Sequence, residues 1–206
     1  MSHAKPGASQ QVKIIVPKKG LTIAQSIPLV ASGRASETLI GVSGECIPIS
    51  GNGPVISGLP IFYALNEGAS PCLYHWAIIF RGFEVGAYQL TVTGLDANGN
   101  STTDSTEFTV GDEMELAEIG WPPSNTDITA DAGDFNPYGE LIDRPLGQVL
   151  MTDSQGNQVQ PLNTWGDYQV YQLWVAYFPP LSAETYSLNA HDDEGSGTTV
   201  TGLLVS

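Results

Sequence analysis

The sequence predicts an all-β protein built from two tandem domains, and three observations carry that prediction. Trp76-Ala-Ile-Ile-Phe80 followed by Tyr88 and Leu90 returns as Trp174-Val-Ala-Tyr-Phe178 followed by Tyr186 and Leu188, at one constant offset of 98 residues. Self-similarity at domain length marks a duplication, not a short-period solenoid. The 206 residues hold 23 Gly and 14 Pro while only 14 % are charged, a balance that suits short strands joined by many turns. No stretch carries the 3.6-residue apolar period of a long amphipathic helix. A chain of this length divides into two cores of about 100 residues each. The boundaries drawn from the repeat are an arm at 1–11, a first domain at 12–111 and a second at 112–206.

The arm is polar, carries Pro6 and Gly7, and has too little apolar surface to order itself. It is expected to pair with or pack on another copy of the protein. Val12 to Pro17 reads as a first strand whose terminal Pro suits a sheet edge. Thr38 to Gly44 reads as the second, and Val55 to Leu65 as the third, broken by Gly58 and Pro60. Leu73 to Phe80 is apolar at every position but His75, the pattern of a strand covered on both sides. From Tyr88 to Thr93 apolar and polar residues alternate, as in a strand with one wet face. Asp96-Ala-Asn-Gly-Asn100 has the chemistry of a turn and closes a hairpin onto Thr106 to Val110. Residues 111–115 form a link too short for free tumbling. The second domain opens at Leu116 to Pro123, passes an Asp-rich loop from Asp127 to Asp143, and resumes strand pattern at Gln148 to Met151. Asp153-Ser-Gln-Gly-Asn157 is a turn before Gln158 and Val159. Tyr168 to Phe178 and Tyr186 to Ala190 read as strands, and His191 to Gly197 as a loop in place of the first domain's Asn-Gly turn. Thr199 to Val205 closes the sheet.

The formal charge of −15 is unevenly placed. Residues 1–111 carry seven acids and six bases, whereas 112–206 carry fifteen acids and Arg144 alone. Such a field repels nucleic acid and anionic lipid, whose recognition needs Lys and Arg. No apolar run has the length of a membrane span, and Met1 to Gln10 has no apolar core of the kind a signal peptide needs. Either export by that route is absent or the signal has been removed.

The run Gly86-x-Tyr88-x-Leu90-x-Val92-x-Gly-x-Asp96-x-x-Gly99-Asn100, ending in Phe108-Thr-Val110, resembles the C-terminal half of bacterial immunoglobulin-like domains. Leu39-Ile-Gly-Val42-Ser-Gly44 is similar to that family's second strand. The resemblance covers most of 12–110. In 116–206 it is weaker, because Glu184 stands at the position of Gly86 and the Asp-x-x-Gly-Asn turn reads as lost, so the second domain is placed through the internal repeat. The resemblance implies two Greek-key β-sandwiches with Trp76, Phe80, Trp174 and Phe178 in the cores, and Tyr88 and Tyr186 as tyrosine corners. It also implies roles as spacers, adhesion modules or accessory parts of surface or virion proteins, and an extracellular, surface or virion location.

Catalytic motifs do not assemble. Gly-x-Ser-x-Gly, His-Glu-x-x-His and the phosphate loop are all missing from the sequence. The three histidines, His3, His75 and His191, stand apart, and Asp192 and Asp193 are adjacent loop residues without the held separation that acid/base chemistry requires. Asp127, Asp131, Asp134, Asn136 and Glu140 lie close together with Gly133 and Gly139. They can be read as hard oxygen ligands for Ca²⁺ or as an Asp/Asn/Gly-rich turn; the spacing departs from the EF-hand, which favours the turn. No other cofactor is indicated. Cys46 and Cys72 are expected to form a disulfide, because the assigned order sets the end of the 38–44 strand beside the start of the Leu73 strand. Two unpaired thiols are the other reading.

These readings converge on a non-catalytic structural or assembly module of a surface, filament or virion-type particle, whose partners are proteins, including its own copies. A recognition module using exposed aromatics such as Trp121, Trp165 and Tyr168 on a glycan or protein is the alternative. A hydrolase with an unrecognised site is the third reading.

Overall fold

The computed structural model describes residues 11–25, 28–50, 53–66, 73–111, 119–121, 127–128, 135–141 and 144–205. The predicted arm apart from Gln11, the link beyond Gly111, Cys72, Asp131 and Asp134 lie outside those residues. The chain divides into two compact units, Met1–Met114 and Glu115–Ser206. Every regular element among the described residues is a strand.

The first unit contains β1 (Val12–Val16), β2 (Leu21–Ala24), β3 (Leu29–Ser36), β4 (Leu39–Pro48), β5 (Ile56–Ser57), β6 (Leu59–Asn66), β7 (Leu73–Phe80), β8 (Gly86–Asp96) and β9 (Ser101–Gly111). One sheet has the order β1-β3-β7-β6 and the other β2-β9-β8-β4-β5. The chain changes sheet between β1 and β2, and β2 then runs parallel to β9. Trp76, Ile78 and Phe80 of β7 pack against Cys46, Tyr88, Leu90, Val92, Phe108 and Val110 of the facing sheet. The carboxylate of Asp104 on β9 accepts the Ile14 N–H at 2.8 Å, which ties the edge strand β1 across the sandwich. His75, Ala77 and Ile79, on the opposite face of β7 from Trp76, are buried as well, so both faces of this strand are closed to solvent.

The second unit repeats the first strand for strand. Its elements are β10 (Ile119–Trp121), β11 (Asp127–Ile128), β12 (Tyr138–Glu140), β13 (Leu146–Asp153), β14 (Gln158–Val159), β15 (Asn163–Asp167), β16 (Leu173–Tyr177), β17 (Thr185–Asp192) and β18 (Gly197–Val205). Their orders are β10-β12-β16-β15 and β11-β18-β17-β13-β14, and β11 runs parallel to β18 as β2 does to β9. Trp174, Phe178 and Tyr186 are buried at the positions matching Trp76, Phe80 and Tyr88.

Four sequence expectations are corrected. Two strands, β2 and β3, precede the 38–44 segment, and β3 is the neighbour of β7. Its residues 29–36, Leu-Val-Ala-Ser-Gly-Arg-Ala-Ser, have weak strand propensity, and at Gly33 the reason is room for an indole. Gly33 lies opposite Trp76, and a Cβ there would meet the indole at 2.6 Å. Gly139 faces Trp174 in the same way. The 38–44 segment belongs to β4, in the other sheet beside β8, so the pairing that predicted a Cys46–Cys72 disulfide does not exist. Cys46 carries a free, buried thiol.

The broken strand at 55–65 is two strands in different sheets. Gly58 is where the chain crosses, with its N–H donating to the Gly44 carbonyl at 2.8 Å and no space for a Cβ against Ile78 and Phe80. Residues 168–171 form a turn, preceded by the unforeseen β15 and followed by β16. The Asp-x-x-Gly-Asn turn is retained in the second unit as Asp192-Asp-Glu-Gly195-Ser196, two residues earlier than the offset of 98 places it, because β17 is shorter than β8.

Candidate functional site

Among the described residues, several chemically reactive side chains are used by the fold. His75 sits on β7 opposite Arg34 of β3 and Ala64 of β6. Burial, then the nearby Arg34 guanidinium, holds its imidazole down at about pKa 4, so it is neutral at pH 7. His191 donates its Nδ1–H to the Asp192 carbonyl at 2.9 Å. Burial, then the Glu45 carboxylate, pushes the Cys46 thiol far above its ordinary range, so it is no nucleophile. The Tyr88 hydroxyl accepts the Glu84 N–H at 3.1 Å, the backbone contact of a tyrosine corner. The Trp76 Nε1–H donates to the Arg34 carbonyl at 3.0 Å.

The aspartates show the same economy. Asp96, Asp153 and Asp192 each open one turn of a single design. In all three, Oδ1 accepts the N–H groups two and four residues on, and the residue three on is a Gly at φ 83°, 87° and 86°. Those hydrogen bonds, the Asn157 side-chain amide foremost, lower the Asp153 carboxyl below the usual range. Asp167 accepts the N–H groups of Gln169, Val170 and Tyr171, and these bonds, that of Val170 first, lower its carboxyl too. Asp192 therefore anchors a hairpin.

The loops at one end of the second sandwich are stitched together. Leu141 N–H donates to the Gln172 carbonyl at 2.9 Å, and Asp193 N–H to the Pro145 carbonyl at 3.2 Å. Arg144, the only base of 112–206, pairs with Glu194 and lies 3.9 Å from Asp192 Oδ2. Beneath this clasp is a hollow of about 90 Å³ lined by Glu140, Arg144, Trp174, His191, Asp192 and Ser196 among others. It is below the roughly 300–1,000 Å³ that encloses a drug-sized ligand and has room for a few waters. Beside it the β15–β16 turn carries Val170 at 71 % exposure, the Trp165–Tyr171 ring pair at 5.9 Å, and Gln172 at φ 55°.

Of the suggested calcium ligands, Asp131 and Asp134 and the Asp127 side chain lie outside what is described. Asp127 is on β11 in one sheet of the second unit and Glu140 on β12 in the other, while Asn136 is buried beside the Phe135–Phe178 bridge. No group of three His, Cys, Asp or Glu side chains converges as a metal set among the described residues. Trp165 and Tyr168 are half-buried, and the Trp121 side chain lies outside those described.

One surface was not singled out from sequence. At the outer end of the β4–β5 edge, Ile47, Ile49 and Val55 are exposed by 39 %, 53 % and 56 %. Ile47 lies opposite Gln89 of β8, and Ile49 donates its N–H to the Ala87 carbonyl, which sets both on the outer face of the sheet. The signal was present in the sequence: residues 46–66 hold no Asp, Glu, Lys or Arg, the longest such run in the chain.

Each unit thus pairs a four-stranded sheet with a five-stranded one, the first strand switching sheets to lie parallel to the last. Both units are immunoglobulin-like sandwiches. No family model and no curated protein matches the chain. Among solved structures it is similar to the fibronectin(III)-like modules of Clostridium thermocellum CbhA, with 14 % identity and a TM-score of 0.31 over 94 % of this chain and 93 % of that one. It is also similar to Dpr2 Ig1-Ig2, solved in complex with DIP-Theta Ig1-Ig3, at 8 % identity and a TM-score of 0.29 over 94 % and 98 %. A third is Bacteroides ovatus SGBP-B, solved with a mixed-linkage heptasaccharide, at 15 % identity and 0.27 over 90 % and 43 %. Likenesses this distant carry no functional argument.

Proposed function

We propose that this protein is a non-catalytic structural module, an assembly element of a surface, filament or virion-type particle, related to the bacterial immunoglobulin-like domains that residues 86–110 resemble. The observation that carries this reading is the structural use of the polar side chains that could have done chemistry. His75 is buried and neutral, Cys46 is buried and protonated, and Asp96, Asp153, Asp167 and Asp192 are bound to turn amides. Two sandwiches of one topology in series add to it, since repetition of a module extends a chain without adding a site. The polar arm, residues 1–11, is proposed to reach a neighbouring copy. Light scattering on the eluting protein tests the reading: the mass should rise above 21.9 kDa with concentration and fall when the arm is removed. A mass that stays monomeric at the highest attainable concentration would sink it.

A second reading has its own support in the β15–β16 turn. The Asp167 cap holds the turn in one shape, and the Trp165–Tyr171 pair with exposed Val170 provides an apolar platform for a glycan or a protein loop. Glycan-array binding that disappears in Trp165→Ala, with the fold intact, would favour this reading over assembly.

A further inference from the structure

We infer that the outer end of the β4–β5 edge is a self-association surface, where Ile47, Ile49 and Val55 meet the same residues of a second copy. This rests on the assembly reading and names a contact for it other than the arm. Three independent observations point to that occupant.

The first is apolar exposure without protection. Of the ten large hydrophobic side chains exposed among the described residues, Ile47, Ile49 and Val55 fall together at this one edge. Val55, one residue before β5, continues the register that sets Ile56 opposite Cys46 and so projects on the side of Ile47. An exposed sheet edge is ordinarily guarded by charge, and here residues 46–66 have none, with Glu45 standing just before them.

The second is the open ladder. β5 pairs with only Glu45 and Cys46 of the ten residues of β4. The sheet therefore ends on a strand that is only partly covered, next to the apolar patch, and both are ready for a second backbone and its side chains.

The third is charge, which selects the partner. The second unit repels copies of itself, because residues 112–206 carry fifteen acids against one base. Residues 1–111 are nearly balanced, seven acids against six bases, so like can approach like only through the first unit. Glu45 and Glu107 share this outer face at the rim of the patch, and a polar partner would leave the isoleucines wet. The apolar patch facing itself across a two-fold axis covers the isoleucines, and a self-complementary contact of this kind closes as a dimer.

The test uses the full chain in sedimentation equilibrium from micromolar to millimolar concentration, with hydrogen exchange in parallel. Ile47→Thr combined with Val55→Thr removes apolar area without adding charge and keeps β-branched residues in place. Circular dichroism and the melting temperature check that the fold is kept. The expected result is a dimer in the wild type whose Kd rises at least tenfold in the double variant. Hydrogen exchange should show concentration-dependent protection centred on residues 45–57 in the wild type. Leu204→Thr, an exposed apolar site in the second unit, should leave the Kd unchanged. If the double variant associates as the wild type does while deletion of residues 1–11 abolishes association, this inference is overturned and the assembly reading stands. Protection that rises elsewhere in the chain overturns it likewise. A wild type that stays monomeric throughout overturns both.

Discussion

His75 shows how a single buried side chain sets the acid limit of the first unit. The folded protein holds its imidazole at about 4, against 6.5 when unfolded. The unfolded chain therefore binds a proton across that window that the native chain refuses. Stability is whole above pH 6.5 and falls as pH drops through the window, by about 3 kcal/mol in all. Urea midpoints at pH 7.5 and 4.5 should show this loss, and His75→Gln should show distinctly less of it relative to its own value at pH 7.5. Cys46 makes a second residue-scale prediction. Its buried, protonated thiol should resist alkylation in the native protein and react once urea unfolds it, as read by peptide mass mapping. Recovery of a peptide joined through Cys46 and Cys72 without reduction would overturn the β3–β7 and β4–β8 pairings. The third concerns Trp76 and the glycine that admits it. Trp76→Ala should cost about 3–5 kcal/mol through the cavity it leaves. Gly33→Ala should cost about 1–3 kcal/mol through overpacking against the indole. Both are measured by chemical denaturation.

At the scale of elements, three hairpin turns share one design and differ in setting. Asp96 is buried at the end of β8, where Oδ1 accepts two backbone N–H groups and Oδ2 the Asn100 side-chain amide. Asp153 makes the same bonds in solvent. Leaving turn amides without a partner costs more where water cannot replace it, so Asp96→Ala should destabilise by about 1–3 kcal/mol and Asp153→Ala by less. Equal losses in the two variants, measured as urea midpoints, would show that burial of the turn is immaterial. Because the glycines at 99, 156 and 195 all take a left-handed φ, an Ala at any of them should cost about 1 kcal/mol with no loss of contacts. The turn design also accounts for part of the acidity of the second unit, since Asp153, Asp167 and Asp192 are anchors for amides.

For the whole molecule, the division of charge between the halves is the property with the widest consequences. Arg144 offsets one of the fifteen acids of residues 112–206, and it is used up in its pair with Glu194. Repulsion among the rest should be relieved by screening. Raising NaCl from low to physiological ionic strength and beyond should therefore slow hydrogen exchange in 119–205 more than in 12–111. Equal slowing in both halves would mean that the acids are spaced too far apart to oppose folding. Arg144→Gln should weaken the loop end of the second unit by no more than about 1 kcal/mol, since the pair is half-exposed. Its larger expected effect is faster exchange at 192–196, where the clasp holds the hairpin.

Duplication, strand chemistry and the Trp, Phe and Tyr positions of both cores were determined by the sequence, because each leaves a local signature. A repeat offset, a two-residue alternation and large aromatics in apolar runs need no partner to be recognised. Strand order was decided only in three dimensions. β3 reads as a loop because its middle is built of small residues, and at Gly33 the neighbouring indole occupies the space of a side chain; nothing within 29–36 reveals that neighbour. Without β3, the 38–44 segment falls beside β7, and a disulfide follows from a pairing that does not exist. The turn at 192–196 is likewise hidden, since a hairpin two residues shorter shifts the motif off a fixed offset while keeping its hydrogen bonds. The self-association patch lies between these cases. Its lack of charge is plain in residues 46–66, but exposure is a property of the fold: the pairing of Cys46 with Leu90 and of Ile47 with Gln89 decides that Cys46 faces the core and Ile47 the solvent.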